Sequence, residues 1–403
     1  MKRNCFFLIF SLILLFSCGK GSNLSTWDDA PVVAERSIIN GDTVITCFFD
    51  QLRDTVNFPL SRIIEDLQVI QLEDSDTALV SRYHTFASEN YIGIFTEQHQ
   101  YKLFDKTGKF ISQIGRKGQG PGEYASSIYD SQIDEANNCI YLMPWNQKKI
   151  LVYNLAGDLL PDIPLYEMPP KAKFRIDSEH QTVQIGILPF PEGNNFVVWT
   201  QKFNGEIIDS VSSKPYIPEH IDFSSEVFSN RNITIFDYYL MIYGPVRQDT
   251  LYHYIQGEQG RGRLMPIYTI DFRRKDPILL WHIELPYHFI TIIGEQEKIN
   301  EFGQFYRPVA TQFIVDKNTL KGAWANIVFD ELGNLPIPPQ VSYQDGYLSA
   351  NYYPHELKEG LGQVLANSNS SLSKEKMEEL RILYDSIDEE DGNNIIVVGK
   401  FKQ

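Results

Sequence analysis

The sequence predicts an all-β fold, a six-bladed β-propeller with a short helical insertion near the C-terminus. Three observations carry that prediction. Short runs rich in β-branched and aromatic residues follow one another along the chain. A strand–turn–strand unit recurs at a spacing near 50 residues. The last strand is placed to complete a blade begun near the N-terminus, which removes an exposed sheet edge.

The strand runs come in order as Thr43–Phe49, Leu67–Leu72, Tyr91–Phe95, Cys139–Met143, Ile150–Tyr153, Phe196–Trp199 and Gln312–Val315. Most are bounded by Gly, Asn, Asp or Pro, which end strands. The repeat begins at Phe104–Phe110 (FDKTGKF) and returns at Tyr153–Leu159 (YNLAGDL), around Phe203–Ile207, and more weakly around Tyr254–Glu258. Its glycines, Gly108, Gly157, Gly205 and Gly257, are 49, 48 and 52 residues apart. A hairpin turn needs positive φ, which glycine adopts freely. Related turns at Val315–Leu320 and Phe329–Leu335 have irregular spacing. A four-stranded unit at this period is the mark of a propeller, and the chain from residue 60 onward has room for six. The strand at Asn394–Phe401 closes the last one. Helical periodicity is confined to Ser373–Ile387, with Met377, Leu380, Leu383, Tyr384 and Ile387 on one face, and to a shorter segment at Pro354–Ala366.

The N-terminus reads differently. Lys2 and Arg3 precede an apolar run from Cys5 to Phe16, too short to span a bilayer and suited to a signal peptide over residues 1–17. The following Leu15-Phe16-Ser17-Cys18 resembles the lipobox of bacterial lipoproteins. The resemblance implies acylation of Cys18 and cleavage before it. Residues 18–40, which open with the small polar segment GKGSNLST, are expected to tether the lipid to a propeller domain at 41–403.

Composition sets the outer limits. With 43% hydrophobic and 22% charged residues, the chain is an ordinary globular one. A net charge of −16 argues against nucleic acid as a partner. Four cysteines without a CxxC pair give no zinc-ribbon or thioredoxin pattern, and pairing of Cys47 with Cys139 is left open.

The segment Lys109–Tyr124, which contains GRKGQGPGEY, resembles the hallmark segment of six-bladed β-propeller lipoproteins of Bacteroidetes, a family similar in architecture to NHL-type propellers. Pro59–Glu73 resembles that family's opening segment and Asn393–Phe401 its ending. The resemblance implies a propeller in the cell envelope, lipid-anchored to the outer membrane. Because no acidic cluster follows Cys18, the periplasmic side is expected. The family resemblance carries no assigned chemistry.

Searching for chemistry in the residues themselves yields little. The Gly115–Gly122 loop lacks GxxxxGK[ST] and no helix follows it, so it reads as an inter-blade connection rather than a phosphate cradle. The eight histidines show no HxH or HExxH spacing, and Asp385–Asp391 lacks the alternation of a calcium loop. No metal or cofactor is therefore predicted. There is no GxSxG motif. Trp145, Trp199, Tyr243, Trp281 and Trp324 are rings suited either to blade packing or to binding. The leading expectation is a non-catalytic binding protein for a protein, peptide or glycan. Its rivals are a metal-assisted hydrolase or lyase working at the channel, and a structural subunit of an outer-membrane assembly. Arg116, Lys117, Glu123, Tyr124 and Arg247 are the residues expected to contact a ligand, because polar groups beside glycine-rich turns can reach a propeller face.

Overall fold

The computed structural model describes residues 26–81, 84–96, 100–125, 127–219, 221, 223–243, 248–272, 278–295, 298–299, 305–306, 310–338, 340–367 and 372–403. Six antiparallel sheets stand around a central channel as propeller blades. Their innermost strands, in order, are His84–Ala87, Ile128–Asp134, Ala172–Asp177, Glu226–Phe228, Ile278–Glu284 and Val341–Gln344. Blade six takes its two middle strands from Tyr347–Tyr352 and the C-terminal Ile395–Phe401. Its outer strand is Ile64–Gln71, from near the N-terminus. The closure expected from sequence is thus realised by pairs such as Phe401 with Ile64.

Burial follows position within a blade. The second strand of blade one, Tyr91–Phe95, and the third of blade two, Lys149–Asn154, are buried at almost every residue. Neighbouring blades cover both of their faces, so these strands read as apolar runs. The outer strand of blade one, Phe110–Ile114, alternates instead, because one face meets water. The turns at Gly108, Gly157 and Gly205 have φ of 87°, 92° and 90°, as the repeat requires.

Gly257 departs from the pattern. Its φ is −112°, and the left-handed residues of that loop are Gln259 and Gly260. The loop is two residues longer and folds through a 3-10 turn, Glu258–Gly260, so the strain is carried further along it. The Phe329–Leu335 turn is not a blade repeat either. It adds a short strand, Leu335–Pro336, to the outer edge of blade five.

The largest difference from the sequence reading is at the N-terminus. Residues 18–40 read as tether, yet from Trp27 onward the chain is bound to the propeller. A hairpin of Ala34–Ile39 and Asp42–Phe48 joins the outer strand of blade four in parallel, and Thr55–Pro59 does the same on blade five. Paired backbone here covers two blade edges that would otherwise be open. Trp27 anchors the start of the wrap, its ring edge-on to Phe58 at 4.8 Å. Polar residues such as Glu35, Arg36 and Ser37 give this strand a tether-like composition, because its outer side faces solvent.

Both expected helical segments form. α1 spans Pro354–Ala366 and α2 spans Lys374–Ser386, capped by the Ser373 hydroxyl. Together they form the insertion between the two middle strands of blade six. Leu357, Leu361 and Leu380 pack them into the core shared by blades five and six. Cys47 and Cys139 are both free thiols. Among the described residues no helix is long and apolar enough to cross a membrane.

Candidate functional site

All six inner strands run in the same sense along the channel, so their first residues gather at one end and their last residues at the other. The starting ends of blades one to four, with Ser342 and Gln344 of blade six, line a cavity of about 910 Å³, whose wall includes His84, Tyr129, Lys171, Lys173 and Glu226. The finishing ends line a smaller hollow of about 400 Å³, with Arg175, Arg231, Thr234 and Asp345. Between the two, a knot of buried charge closes the channel.

Arg231 is the centre of that knot. Its left-handed backbone (φ 57°) is held by Asp237, which accepts from the Arg231 and Asn230 amides and the Ser229 hydroxyl. The turned backbone aims the guanidinium across the channel. Nη1 donates to Asp130 Oδ2 at 2.6 Å and to Phe174 O at 2.7 Å. Nε and Nη2 form a fork on Asp345 at 2.6 and 3.0 Å, and Nη2 also reaches Ser131 O at 2.9 Å. One side chain on blade four thereby ties blades two, three and six. A planar guanidinium suits this, since its donors point in fixed directions.

Asp130 is wholly buried. Burial alone would raise its carboxyl, but Arg231 and Lys173 hold it below the ordinary value. For Asp345 burial prevails over the same guanidinium, and its carboxyl is pushed up. Asp130 also accepts from Gln344 Nε2, Phe174 N and Ser131 N, so both of its oxygens are engaged.

The cavity wall above the knot combines aromatic rings with a few fixed polar groups. Lys171 Nζ donates to Phe223 O at 2.6 Å, Ser225 O at 2.9 Å and Glu226 Oε1 at 2.5 Å, fastening the segment that leads into blade four. The Tyr129 hydroxyl donates to the other Glu226 oxygen. Burial pushes the Glu226 carboxyl up towards 8. Ionised, Glu226 balances the Lys171 ammonium; protonated, it leaves that ammonium held by neutral acceptors, among them the Phe223 and Ser225 carbonyls. His84 is kept neutral, pushed down to about 4 by burial and then by the Lys173 charge. At the rim, Trp145 and Phe223 remain 41% and 69% exposed, and the exposed Tyr166 and Met168 belong to the chain leading into blade three. Among the described residues no group of three His, Cys, Asp or Glu is placed to hold a metal ion.

The residues singled out from sequence lie elsewhere. Arg116 and Glu123 meet, with Nε donating to Oε1 at 2.6 Å, and Glu123 also accepts from the Gly120 amide. Lys117 is exposed beside them. Tyr124 is fully buried behind the cavity wall, its ring 6.4 Å from that of Phe95, which does line the cavity. The Gly115–Gly122 segment is an inter-blade connection, as its composition implied. None of these four residues lines the channel cavity. Cys18 and Arg247 lie outside the described residues. Of the five aromatic residues considered, Trp145 reaches the cavity, while Trp199 is fully buried in blade packing. The knot and the two lysines escaped sequence reading, because nothing in a strand such as AKFRID marks which residues face the channel.

A six-bladed propeller whose channel is divided by a buried charge knot, with a large cavity at one end and a smaller hollow at the other, is the class of protein that fold and site define. The chain belongs to the family described as a domain of unknown function, DUF4934, which matches residues 43–400. Among solved structures it is similar to a Bacteroides fragilis protein described as exported. That likeness has 18% identity and a TM-score of 0.56, over 87% of this chain and 98% of the other. It is also similar to a Bacteroides vulgatus member of the DUF4221 family, with 12% identity and a TM-score of 0.44, over 84% of this chain and 97% of the other. No curated protein matches the sequence. At 18% identity the first of these likenesses speaks to fold alone.

Proposed function

We propose that this chain is an envelope-anchored, non-catalytic binding protein that receives part of a protein, peptide or glycan in its channel cavity. The observation that carries the reading is the one-ended cavity of about 910 Å³, large enough for a ligand and walled by rings with few polar groups. Exposed aromatic residues at its rim extend the surface a larger partner would cover. The leader and Cys18 support a lipid anchor in the outer membrane, facing the periplasm, and the likeness to an exported protein agrees with an envelope location.

A photo-crosslinking residue in place of Phe223, in the full chain within intact envelopes, tests the reading. The expected result is one dominant adduct from Phe223 and none from the equally exposed Ile382 on α2. Equal background adducts from both positions would refute it.

A further inference from the structure

Only one of the four charged groups in the channel knot looks into the large cavity. Asp130, Arg231 and Asp345 do not line it, and the latter two border the smaller hollow on the far side. Lys173 does line it, with 18% of its side chain exposed.

The Lys173 ammonium is poorly satisfied. One proton goes to Tyr129 O at 3.3 Å. Its nearest carboxylate oxygen, Asp130 Oδ1, is 3.8 Å away, beyond hydrogen-bond length, and is already engaged by Arg231, Gln344 and the Ser131 amide. Among the described residues the ammonium makes no other hydrogen bond. Burial pulls Lys173 below the usual lysine range, and Asp130 only partly restores it. An ammonium with donors to spare, at the floor of a cavity, is suited to donate a charge-assisted hydrogen bond to an incoming anion.

The rest of the wall limits what that anion can be attached to. Glu226 accepts from Lys171, whose own three donors are spent. His84 is neutral near pH 7. Lys173 is therefore the cation in the described wall that has hydrogen-bond donors to spare. Around and above it stand Phe86, Phe95, Ile128, Val227 and Phe228.

We infer that the cavity takes a ligand with an apolar body and a single carboxylate end, the carboxylate seated on Lys173 and the body against the rings above. This rests on the channel-binding role proposed above: a peptide C-terminus would specify the ligand named there, and an acyl acid would replace it. Two sources share that chemistry, an acyl chain with a free acid and an apolar peptide with a free C-terminus.

The test is calorimetric titration of the full chain carrying Cys18→Ser, so that no attached lipid competes. Two matched pairs serve as probes: octanoate against 1-octanol, and the tripeptide acetyl-Leu-Phe-Leu as free acid against its amide. In at least one pair the acid should bind about ten- to a hundred-fold tighter than its neutral partner. Lys173→Met should abolish that preference while neutral binding persists. The pair showing the larger preference identifies the source. Equal binding of acid and neutral forms in both pairs, or a preference untouched in Lys173→Met, would overturn the carboxylate inference and leave the binding role standing. Binding by none of the four probes would overturn the carboxylate inference, and the Phe223 crosslinking would then decide the binding role by itself. The acid-to-neutral comparison uses the unsubstituted cavity, so it decides the matter even if Lys173→Met fails to fold.

Discussion

Replacing Arg231 with methionine isolates what the channel knot contributes. The substitution keeps an unbranched apolar stem and removes the guanidinium, leaving Asp345 without its fork and Asp130 with only Gln344, two amides and the distant Lys173. Breaking a buried ion pair by removing one partner costs about 3–5 kcal/mol. At ~2.1 cal/mol/K per residue, a propeller of this size has an unfolding entropy of about 0.8 kcal/mol/K, so Tm should fall by about 4–6 °C. The pH dependence gives a second reading. Asp130 is held below 3.8, so its ionised form adds stability above about pH 3.8, and that stability is lost as pH falls through the lowered value. Burial pushes Asp345 up, and removal of the guanidinium pushes it higher, which penalises the variant at neutral pH in the same direction. The Tm difference should therefore be widest near pH 7 and narrow below pH 4. Scanning calorimetry from pH 3 to pH 7 measures both effects. A variant as stable as the parent would show that an apolar plug replaces the knot without loss. A Tm gap constant across that range would show that the carboxylates are not its cause.

Gly108→Ala should lower stability by at least about 1–3 kcal/mol in urea unfolding, because φ is +87° and a Cβ would stand 2.0 Å from the Gln71 carbonyl of blade six. Gly41→Ala, at φ +91° with nothing within 4 Å, carries the backbone strain alone and should cost less. A result in which the two lose the same stability would refute a steric role for the blade-one turn. Burial pushes the Cys47 thiol up to about 12, whereas Cys139 is half-buried. Mass mapping after mild alkylation should therefore find Cys139 modified in the native protein and Cys47 only after denaturation. A Cys47–Cys139 disulfide would contradict the structure.

What the sequence disclosed depended on how local the cause was. The turns at Gly108, Gly157 and Gly205 are dictated by φ at single residues, so they stand out at regular spacing. The Gly115–Gly122 segment is conspicuous for a similar reason. A Cβ on Gly118 would lie 2.0 Å from Glu123 Oε2, and Glu123 in turn accepts from Arg116 and the Gly120 amide. Its composition marks a self-contained connection between blades. The channel chemistry has no such local signature. Asp130 meets Arg231 across 101 residues and Arg231 meets Asp345 across 114, and each sits in an ordinary strand or turn. The N-terminal wrap was hidden because parallel pairing onto the outer strands of blades four and five needs no turn motif. Contacts between residues far apart in sequence, such as the edge-on rings of Trp27 and Phe58, fix where it begins.

That beginning sets the direction in which the cavity faces. Trp27 packs beside His288, which follows the turn after the inner strand of blade five, at the finishing end of the channel. Lys321, just past the turn between the third and outer strands of the same blade, donates to Asp28 O. The chain thus joins the propeller on the side of the smaller hollow. Eight residues lie between Cys18 and Trp27, and the nine Cα-to-Cα steps reach at most about 32 Å. With the lipid on Cys18, as proposed, this reach keeps the side of the smaller hollow near the membrane, and the cavity mouth, with Trp145 and Phe223, lies at the opposite end of the channel. The wrap over blades four and five then does two things at once. It seals their outer edges, and it sets the tether's departure point opposite the mouth. A ligand reaching Lys173 would come from the aqueous side, and a carboxylate-ended acyl chain or peptide would have to leave any membrane or partner before entering.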